Sequence, residues 1–151
     1  MKKVLERIYI KEYRLLFKGK RDGFRSKDFH SKYDNKSYTI SFVKKGRRFG
    51  GFTDVEWDQS NIWKKGSNSF IFSLDNNEIY YNKNSNYNIR CNSNYGPTFG
   101  GNDFLISDNC DKNNSYDNSG DSHDTKEKEY ALARRNHFYI EDNEVYKIEL
   151  E

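Results

Sequence analysis

Two short segments, each with a glycine pair directly after a phenylalanine, constrain the fold of this chain more than any other feature. One lies within residues 48–54, and the other lies within residues 94–104, which also hold the single proline, Pro97. A glycine pair beside aromatic residues at the start of a strand marks a place where two backbones pass too closely for a side chain. No Gly-Lys-Ser/Thr sequence follows either pair, so a nucleotide-binding P-loop is excluded. The two segments therefore predict a β-rich scaffold.

The composition predicts one domain with an aromatic-rich core. The 151 residues are enough for a single domain with a sizeable interior. Only 34% of them are hydrophobic, a fraction that taken alone favours disorder. However, 17% are aromatic, and each buried ring removes a large apolar area from water. We therefore expect a core built mainly from Tyr and Phe, with very polar loops.

The charge and the cysteine count limit which partners and which location are expected. The chain has 26 basic and 23 acidic residues, a net charge of +3. This near balance favours a mixed, solvated surface over one that binds nucleic acid. Two cysteines are too few for a disulfide framework, and we find neither a signal peptide nor a stretch that could span a membrane. The expected location is therefore cytoplasmic, with no nucleic-acid partner and no transmembrane segment.

Period-two alternation of apolar and polar residues is the main signal of secondary structure. It predicts antiparallel strands with one face on the core and one in water. The sets predicted to share a face are Tyr13, Leu15 and Phe17; Tyr38, Ile40 and Phe42; Phe70, Phe72 and Leu74; and Tyr146, Ile148 and Leu150. Shorter strands are predicted at residues 48–53, 78–81, 88–91, 98–107 and 137–141.

Helical signals are fewer. Ser26 is expected to cap a short helix over residues 27–33, with Phe29 and Tyr33 on one side at i, i+4 spacing. Residues 125–134 have a helix-favouring composition that predicts one or two turns.

The remaining segments complete the predicted organisation. Residues 1–11 are expected to form an N-terminal arm or a short helix, and residues 12–151 the domain itself. Residues 107–124 are rich in Asn, Asp and Ser, which predicts a mobile loop on the surface.

No motif of a metal centre or of a catalytic nucleophile is present. The three histidines are far apart and lack cysteine partners at ligand spacing, so a zinc site is not expected. The Gly-x-Ser-x-Gly turn of serine hydrolases does not occur. Cys91 is interpreted as a buried strand cysteine. We therefore expect no catalytic residue, no metal and no cofactor.

The two tryptophans flank a polar stretch, and two lysines follow the second. Trp57 and Trp63 are separated by five residues, and Lys64 and Lys65 come next. An exposed tryptophan beside basic residues is typical of a partner contact. The other interpretation is that both indoles pack over the sandwich edge. We favour packing for Trp57, and both interpretations stay open for Trp63, so Trp63, Lys64 and Lys65 are the candidate partner-binding residues.

Further motifs occur in a fixed order over residues 12–150. They are Asp22, Gly23 and Phe24; Gly50, Gly51 and Trp57; and Gly96, Pro97, Phe99, Gly100 and Gly101. An opening strand at residues 13–17, a Ser-Phe-Ile-Phe-Ser-Leu segment at 69–74 and a closing Glu-Val-Tyr at 144–146 complete the series. This order and spacing resemble the TLDc domain, the module of the oxidation-resistance and nuclear-receptor-coactivator-like proteins.

The resemblance implies a mainly β fold, a sandwich of two antiparallel β-sheets flanked by short helices, in which the motif residues are structural. It also implies a non-enzymatic module that binds and modulates the vacuolar-type proton ATPase and contributes to oxidative-stress resistance. Any membrane association would be peripheral, through that partner. Two alternatives stay open: a structural subunit of another large assembly, and an enzyme or antioxidant that uses Glu141, Glu144 or Cys91.

Overall fold

The structure, a computed structural model, describes residues 9–66 and 68–151. Twelve strands form two antiparallel six-stranded sheets. In spatial order the first sheet contains β1 (Ile10–Lys18), β12 (Asp142–Leu150), β2 (Thr39–Lys45), β3 (Arg47–Thr53), β5 (Ser69–Ser73) and β6 (Glu78–Tyr81). The second contains β11 (His137–Phe138), β10 (Ser115–Asp117), β9 (Phe104–Ser107), β8 (Tyr95–Phe99), β7 (Ile89–Cys91) and β4 (Ile62–Lys64). Two short helices, α1 (Gly19–Asp22) and α2 (Ser26–Tyr33), follow β1. The predicted sandwich is confirmed.

Aromatic rings fill the space between the two sheets. Trp57 lies among Phe29, Tyr33 and Phe99, with ring centroids 5.6–5.8 Å apart and steep angles between the planes. Edge-to-face pairs of this kind are favoured over parallel stacking. The expectation of an aromatic core is therefore confirmed.

The apolar sets of β2, β5 and β12 were expected to face the core between the sheets, and this is wrong. Directly opposite residues on antiparallel strands point to the same face. Tyr146, Ile40, Phe52 and Phe70 follow one another across β12, β2, β3 and β5. They form a second apolar cluster on the outer face, which is the face directed away from the second sheet. The inner face is apolar as well, so the centre of this sheet has apolar side chains on both faces.

Two of the sets predicted to share a face each include a residue that the structure places elsewhere. Tyr13 and Phe17 do not share a face, because a β-bulge between Leu15 and Phe17 shifts the pairing with β12. Phe17 is buried in the interior, while Tyr13 is exposed. Tyr38 precedes β2 with a left-handed backbone, φ 53°, so only Ile40 and Phe42 of its set belong to the strand.

The N-terminal arm is described only at its end. β1 already begins at Ile10, so Ile10 and Lys11 belong to the first strand. Residues 1–8 of the predicted arm lie outside the described residues. The predicted strand at residues 98–107 is two strands, β8 and β9, separated by a turn.

The helix after the first strand is confirmed, but its cap is not. Arg25, rather than Ser26, precedes the first turn of α2, and the Asp28 carboxylate accepts the Arg25 backbone N–H at 3.1 Å. This carboxylate satisfies a donor that the helix start leaves free. Phe29 and Tyr33 are both buried on one side, as predicted.

The predicted turns of helix at residues 125–134 are absent from the structure, which has non-helical turns there. Lys126, Glu127, Tyr130 and Arg134 all have left-handed backbone conformations, which interrupt a right-handed helix. Tertiary hydrogen bonds outweigh local propensity in this segment, since the backbone N–H of Ala131 donates to the Ser119 hydroxyl at 2.8 Å.

The polar segment 107–124 is not entirely a surface loop. It contributes β10 to the second sheet. Asp117 is buried, and its carboxylate accepts backbone N–H groups from Ser119, Leu132 and Ala133 at 2.7–3.1 Å. Burial raises the pKa of Asp117, although these hydrogen bonds oppose the shift. The carboxylate thus ties two polar segments to the sandwich.

Candidate partner-binding surface

The first glycine pair lies in the packed sheet, as predicted. A Cβ on Gly50 would lie 1.8 Å from the Ser41 carbonyl oxygen and 2.7 Å from the Phe72 ring on the outer face. A Cβ on Gly51 would lie 2.7 Å from the Phe99 ring on the inner face. The two glycines therefore let aromatic rings approach the β3 backbone from opposite sides.

The second glycine pair lies in the turn between β8 and β9 rather than at the start of a strand. Gly100 has a φ of +68°, and a Cβ there would lie 1.8 Å from a carboxylate oxygen of Asp103. The atoms nearest to a Cβ on Gly101 would be those of the Asp121 and Ser122 side chains. Upstream, Gly96 and Pro97 are buried within β8. This pair serves a turn and a polar contact, not the packing of two sheets.

The Asp-Gly-Phe motif closes the turn between the two helices. The Asp22 carboxylate accepts the Lys18 backbone N–H at 2.9 Å. Gly23 has a φ of +111°, which an L side chain rarely adopts. Phe24 packs against the interior cluster. Asp22 thus ends α1, and Gly23 caps it.

A buried polar cluster brings a serine, a histidine and an aspartate close together. The Ser69 hydroxyl lies 3.3 Å from Nε2 of His123, and Nδ1 of His123 lies 3.1 Å from the Asp103 carboxylate. All three residues are buried, so the serine oxygen is not accessible to a substrate in this conformation. The Asp103 carboxylate also accepts the backbone N–H groups of Gly120, Ser122 and His123. This arrangement holds the segment around residues 120–123 in place.

The residues of the enzymatic alternative lie apart from one another. Cys91 is in the sandwich interior, where burial raises the pKa of its thiol to about 12. Glu144 lies opposite Phe42 on the outer face of the first sheet. Glu141 is exposed and accepts the Gly46 backbone N–H at 3.2 Å. The first sheet separates Cys91 from Glu144.

The second tryptophan lies on the surface with its ring held in place. Trp63 is 41% exposed, and its Nε1–H donates to the Gly101 carbonyl at 2.9 Å. It lies on β4, which ends the second sheet. Tyr87 contacts the ring edge-on, with centroids 5.9 Å apart. The second glycine pair thus supplies the acceptor that orients this indole.

Arg90 completes this surface. It lies directly opposite Trp63 on β7, and its guanidinium carbon is 4.6 Å from the Trp63 ring centroid and 5.8 Å from that of Tyr95. A guanidinium at this distance over an indole is a cation–π contact. We call Trp63, Tyr87, Arg90 and Tyr95 the Trp63 surface. Beside it, Ile62 at the sheet edge is 51% exposed.

The two lysines of the candidate set differ in their surroundings. The Lys64 ammonium contacts the Asp58 carboxylate and the Glu56 carbonyl, both at 2.6 Å. Burial alone would raise the pKa of Asp58, but hydrogen bonds from Lys64 and Ser60 outweigh it and lower that pKa to about 2. The Lys64 ammonium is therefore already paired with Asp58 within the chain, whereas Lys65 is exposed.

The sequence did not single out Arg90, Tyr87 or Tyr95. The alternation of Arg90 with the apolar Ile89 and Cys91 was the one signal, because it predicts an outward side chain. Its contact with Trp63 requires the pairing of β4 with β7, which joins segments more than twenty residues apart.

Nearly the whole chain matches a known protein family. A sequence model of the TLDc domain family matches residues 1–149. No curated protein matches the chain.

Over residues 9–66 and 68–151, no helix is long and apolar enough to cross a membrane. Within the same ranges, no cluster of three or more His, Cys, Asp or Glu side chains is placed to hold a metal ion.

Proposed function

We propose that this chain, which belongs to the TLDc domain family, is a non-enzymatic module that binds another protein through the Trp63 surface. The partner we propose is the vacuolar-type proton ATPase, and the cellular roles are modulation of that pump and resistance to oxidative stress. Both roles are inferred from the family resemblance. The proposed location is the cytoplasm, with membrane association only through the partner.

The observation that carries this proposal is the exposed but ordered stack of Trp63 and Arg90. Tryptophan, tyrosine and arginine dominate the residues that contribute most to binding at protein interfaces. The Gly101 carbonyl, Tyr87 and the opposite position of Arg90 restrict the Trp63 ring before any partner arrives. A side chain that is already ordered loses less entropy on binding, which favours affinity.

Modulation of the pump requires only unequal binding to its states. A module that binds one state of assembly more tightly shifts the population toward that state by its difference in affinity. No covalent step is needed. The proposal therefore predicts that the effect on pump activity saturates with the concentration of the module.

The test is an affinity pull-down from native lysate with the tagged chain, with and without ATP, analysed by mass spectrometry. We expect pump subunits to be enriched, and Trp63→Ala to remove most of that enrichment. The matched control is Tyr139→Ala, because Tyr139 is 47% exposed and follows β11 at the opposite edge of the same sheet.

Three outcomes would contradict the proposal. Stoichiometric recovery of a different complex without pump subunits would favour the structural alternative. Enrichment that is equal for the wild type and Trp63→Ala would exclude the Trp63 surface. Peroxide consumption by the purified chain that is lost in Cys91→Ser would favour the antioxidant alternative.

A further inference from the structure

The outer face of the first sheet has an open groove of about 830 Å³ that the proposed function does not use. Its apolar lining includes Ile10, Tyr13, Ile40, Phe42, Tyr146 and Ile148. On the rim, Tyr13 is 73% exposed. A contiguous apolar groove with polar residues at its rim is characteristic of an interaction site.

The dimensions of the groove favour an α-helix as its occupant. Ile10 and Lys18 both line it and are the first and last residues of β1. The strand between them spans about 25 Å, a length that about 17 helical residues cover. An apolar sheet face is normally covered by a helix or another sheet, whereas an added strand would pair with a sheet edge.

Two carboxylates at one end of the groove share a single ammonium group. The Lys18 ammonium lies 2.9 Å from Asp142 and 2.5 Å from Glu144. Hydrogen bonds to these two carboxylates raise the pKa of Lys18. Lys18 therefore offsets one of the two negative charges, and the other basic side chains of the lining decide the sign of the net charge.

The remaining charges at that end are basic. Lys44 lies directly opposite Arg48 across β2 and β3, and Lys20 also lines the groove. Among the described residues, no carboxylate lies within ion-pair distance of Lys20 or Lys44, and Arg48 has a long contact of 3.6 Å with Asp75. The lining has four basic side chains and two acidic ones, so it carries a net positive charge at one end and apolar residues along the rest.

We infer that this groove binds an amphipathic α-helix of a partner protein, with its apolar stripe on the sheet and its acidic C-terminal end over Lys20, Lys44 and Arg48. Acidic side chains would pair with these cations, and the negative end of the helix macrodipole favours the same orientation. Exposed charges of this kind are screened by salt, so binding weakens as ionic strength rises. This surface is separate from the Trp63 surface and does not depend on the pump as partner.

The test uses the full chain and two labelled synthetic helical peptides of about 17 residues. Both carry leucines along one face, and they differ only in the last turn, which has glutamates in one and lysines in the other. We expect the acidic-ended peptide to bind at least tenfold more tightly by fluorescence anisotropy. The double variant Lys44→Glu with Arg48→Glu should reverse this preference, a result that loss of folding cannot produce.

The controls assign the site. Leu74→Asp, at a partly buried position of the lining, should weaken both peptides at least tenfold while the urea midpoint identifies any loss of folding. The exposed pair Lys126→Glu with Lys128→Glu changes the charge equally outside the groove and should leave the preference intact. Binding that does not respond to the Lys44 and Arg48 reversal would overturn the inference.

Two other occupants are outcomes of the same experiment. If neither peptide binds but the chain floats with vesicles of phosphatidylserine and phosphatidylcholine, and Leu74→Asp abolishes flotation, the groove takes lipid and the inference fails. If light scattering shows a dimer that Leu74→Asp dissociates, a second copy covers the groove and the inference fails as well.

Discussion

The regions around Trp57 and Trp63 use the same residue type for opposite purposes. Trp57 is fully buried, surrounded by rings, and its Nε1–H donates to the Thr39 hydroxyl at 2.8 Å. Trp63 keeps one face toward solvent, and its Nε1–H donates to a backbone carbonyl. A hydrogen-bonded indole N–H therefore does not identify a tryptophan as a core residue. What distinguishes the two is whether rings or solvent surround the rest of the indole.

Each tryptophan is associated with one of the two glycine pairs. Gly51 gives space to Phe99, which contacts the Trp57 ring. Gly101 provides the carbonyl that holds Trp63. The first pair therefore belongs to the scaffold, and the second supports the candidate binding surface.

Trp57→Ala is expected to have the largest effect of the variants that compare the two regions. Removing a large buried aromatic ring costs about 3–5 kcal/mol, whereas Trp63→Ala loses a hydrogen bond and a cation–π contact, each worth about 1 kcal/mol. Urea unfolding of the two alanine variants measures both values. Equal losses of unfolding free energy would show that the two regions do not differ as described.

Gly51→Ala is expected to cost more than Gly101→Ala. The new methyl group at Gly51 would overlap the Phe99 ring inside the sandwich, and overpacking of this kind costs roughly 1–3 kcal/mol. At Gly101 it would meet the exposed Asp121 side chain, which can rotate away. Thermal unfolding of both variants tests the ranking, and the reverse order would contradict it.

Arg90→Met tests whether the Arg90 cation contributes to the Trp63 surface. Methionine keeps an apolar side chain of similar length but removes the cation, so the folded chain loses a cation–π contact worth about 0.5–1 kcal/mol of unfolding free energy. The affinity for the partner should fall as well, because the Trp63 ring is then less restricted before binding. Arg90→Lys is the control, since lysine keeps the charge but not the planar group that stacks on the indole. Full affinity in Arg90→Met would show that the cation is not part of the contact.

Asp58→Asn is expected to have the smallest effect, and one that depends on pH. The pKa of Asp58 is lower in the folded chain, about 2, than in the unfolded chain, about 4. Its pair with Lys64 therefore stabilises the fold above pH 4, and this contribution is lost as the pH falls from about 4 to about 2. Acid unfolding of the variant should lack this component. An unchanged acid transition would show that the pair contributes nothing to folding.

The sequence predicted those features that depend on neighbouring residues. Trp57 was correctly assigned to packing because it follows a strand with a glycine pair. The alternation predicted which residues of β5 share a face, but it could not tell that the opposite face is also apolar. The outer groove was therefore not predicted, because the neighbours of each face come from strands that are distant in sequence.

Contacts between distant segments account for the other differences. Asp103 and His123 are twenty residues apart, and Ser69 is further still, so no local pattern indicates their cluster. Arg90 reaches Trp63 only through the pairing of β7 with β4. The composition of residues 107–124 predicted solvent exposure, yet buried carboxylates at Asp103 and Asp117 accept backbone N–H groups and order the segment.

The most direct test of the central claim is the affinity of the purified chain for the purified proton pump, measured by interferometry for the wild type, Trp63→Ala and Tyr139→Ala. We expect Trp63→Ala to weaken binding at least tenfold while the chain stays folded, and Tyr139→Ala to bind as the wild type does. Equal affinity of all three proteins, or no binding of the wild type, would contradict it.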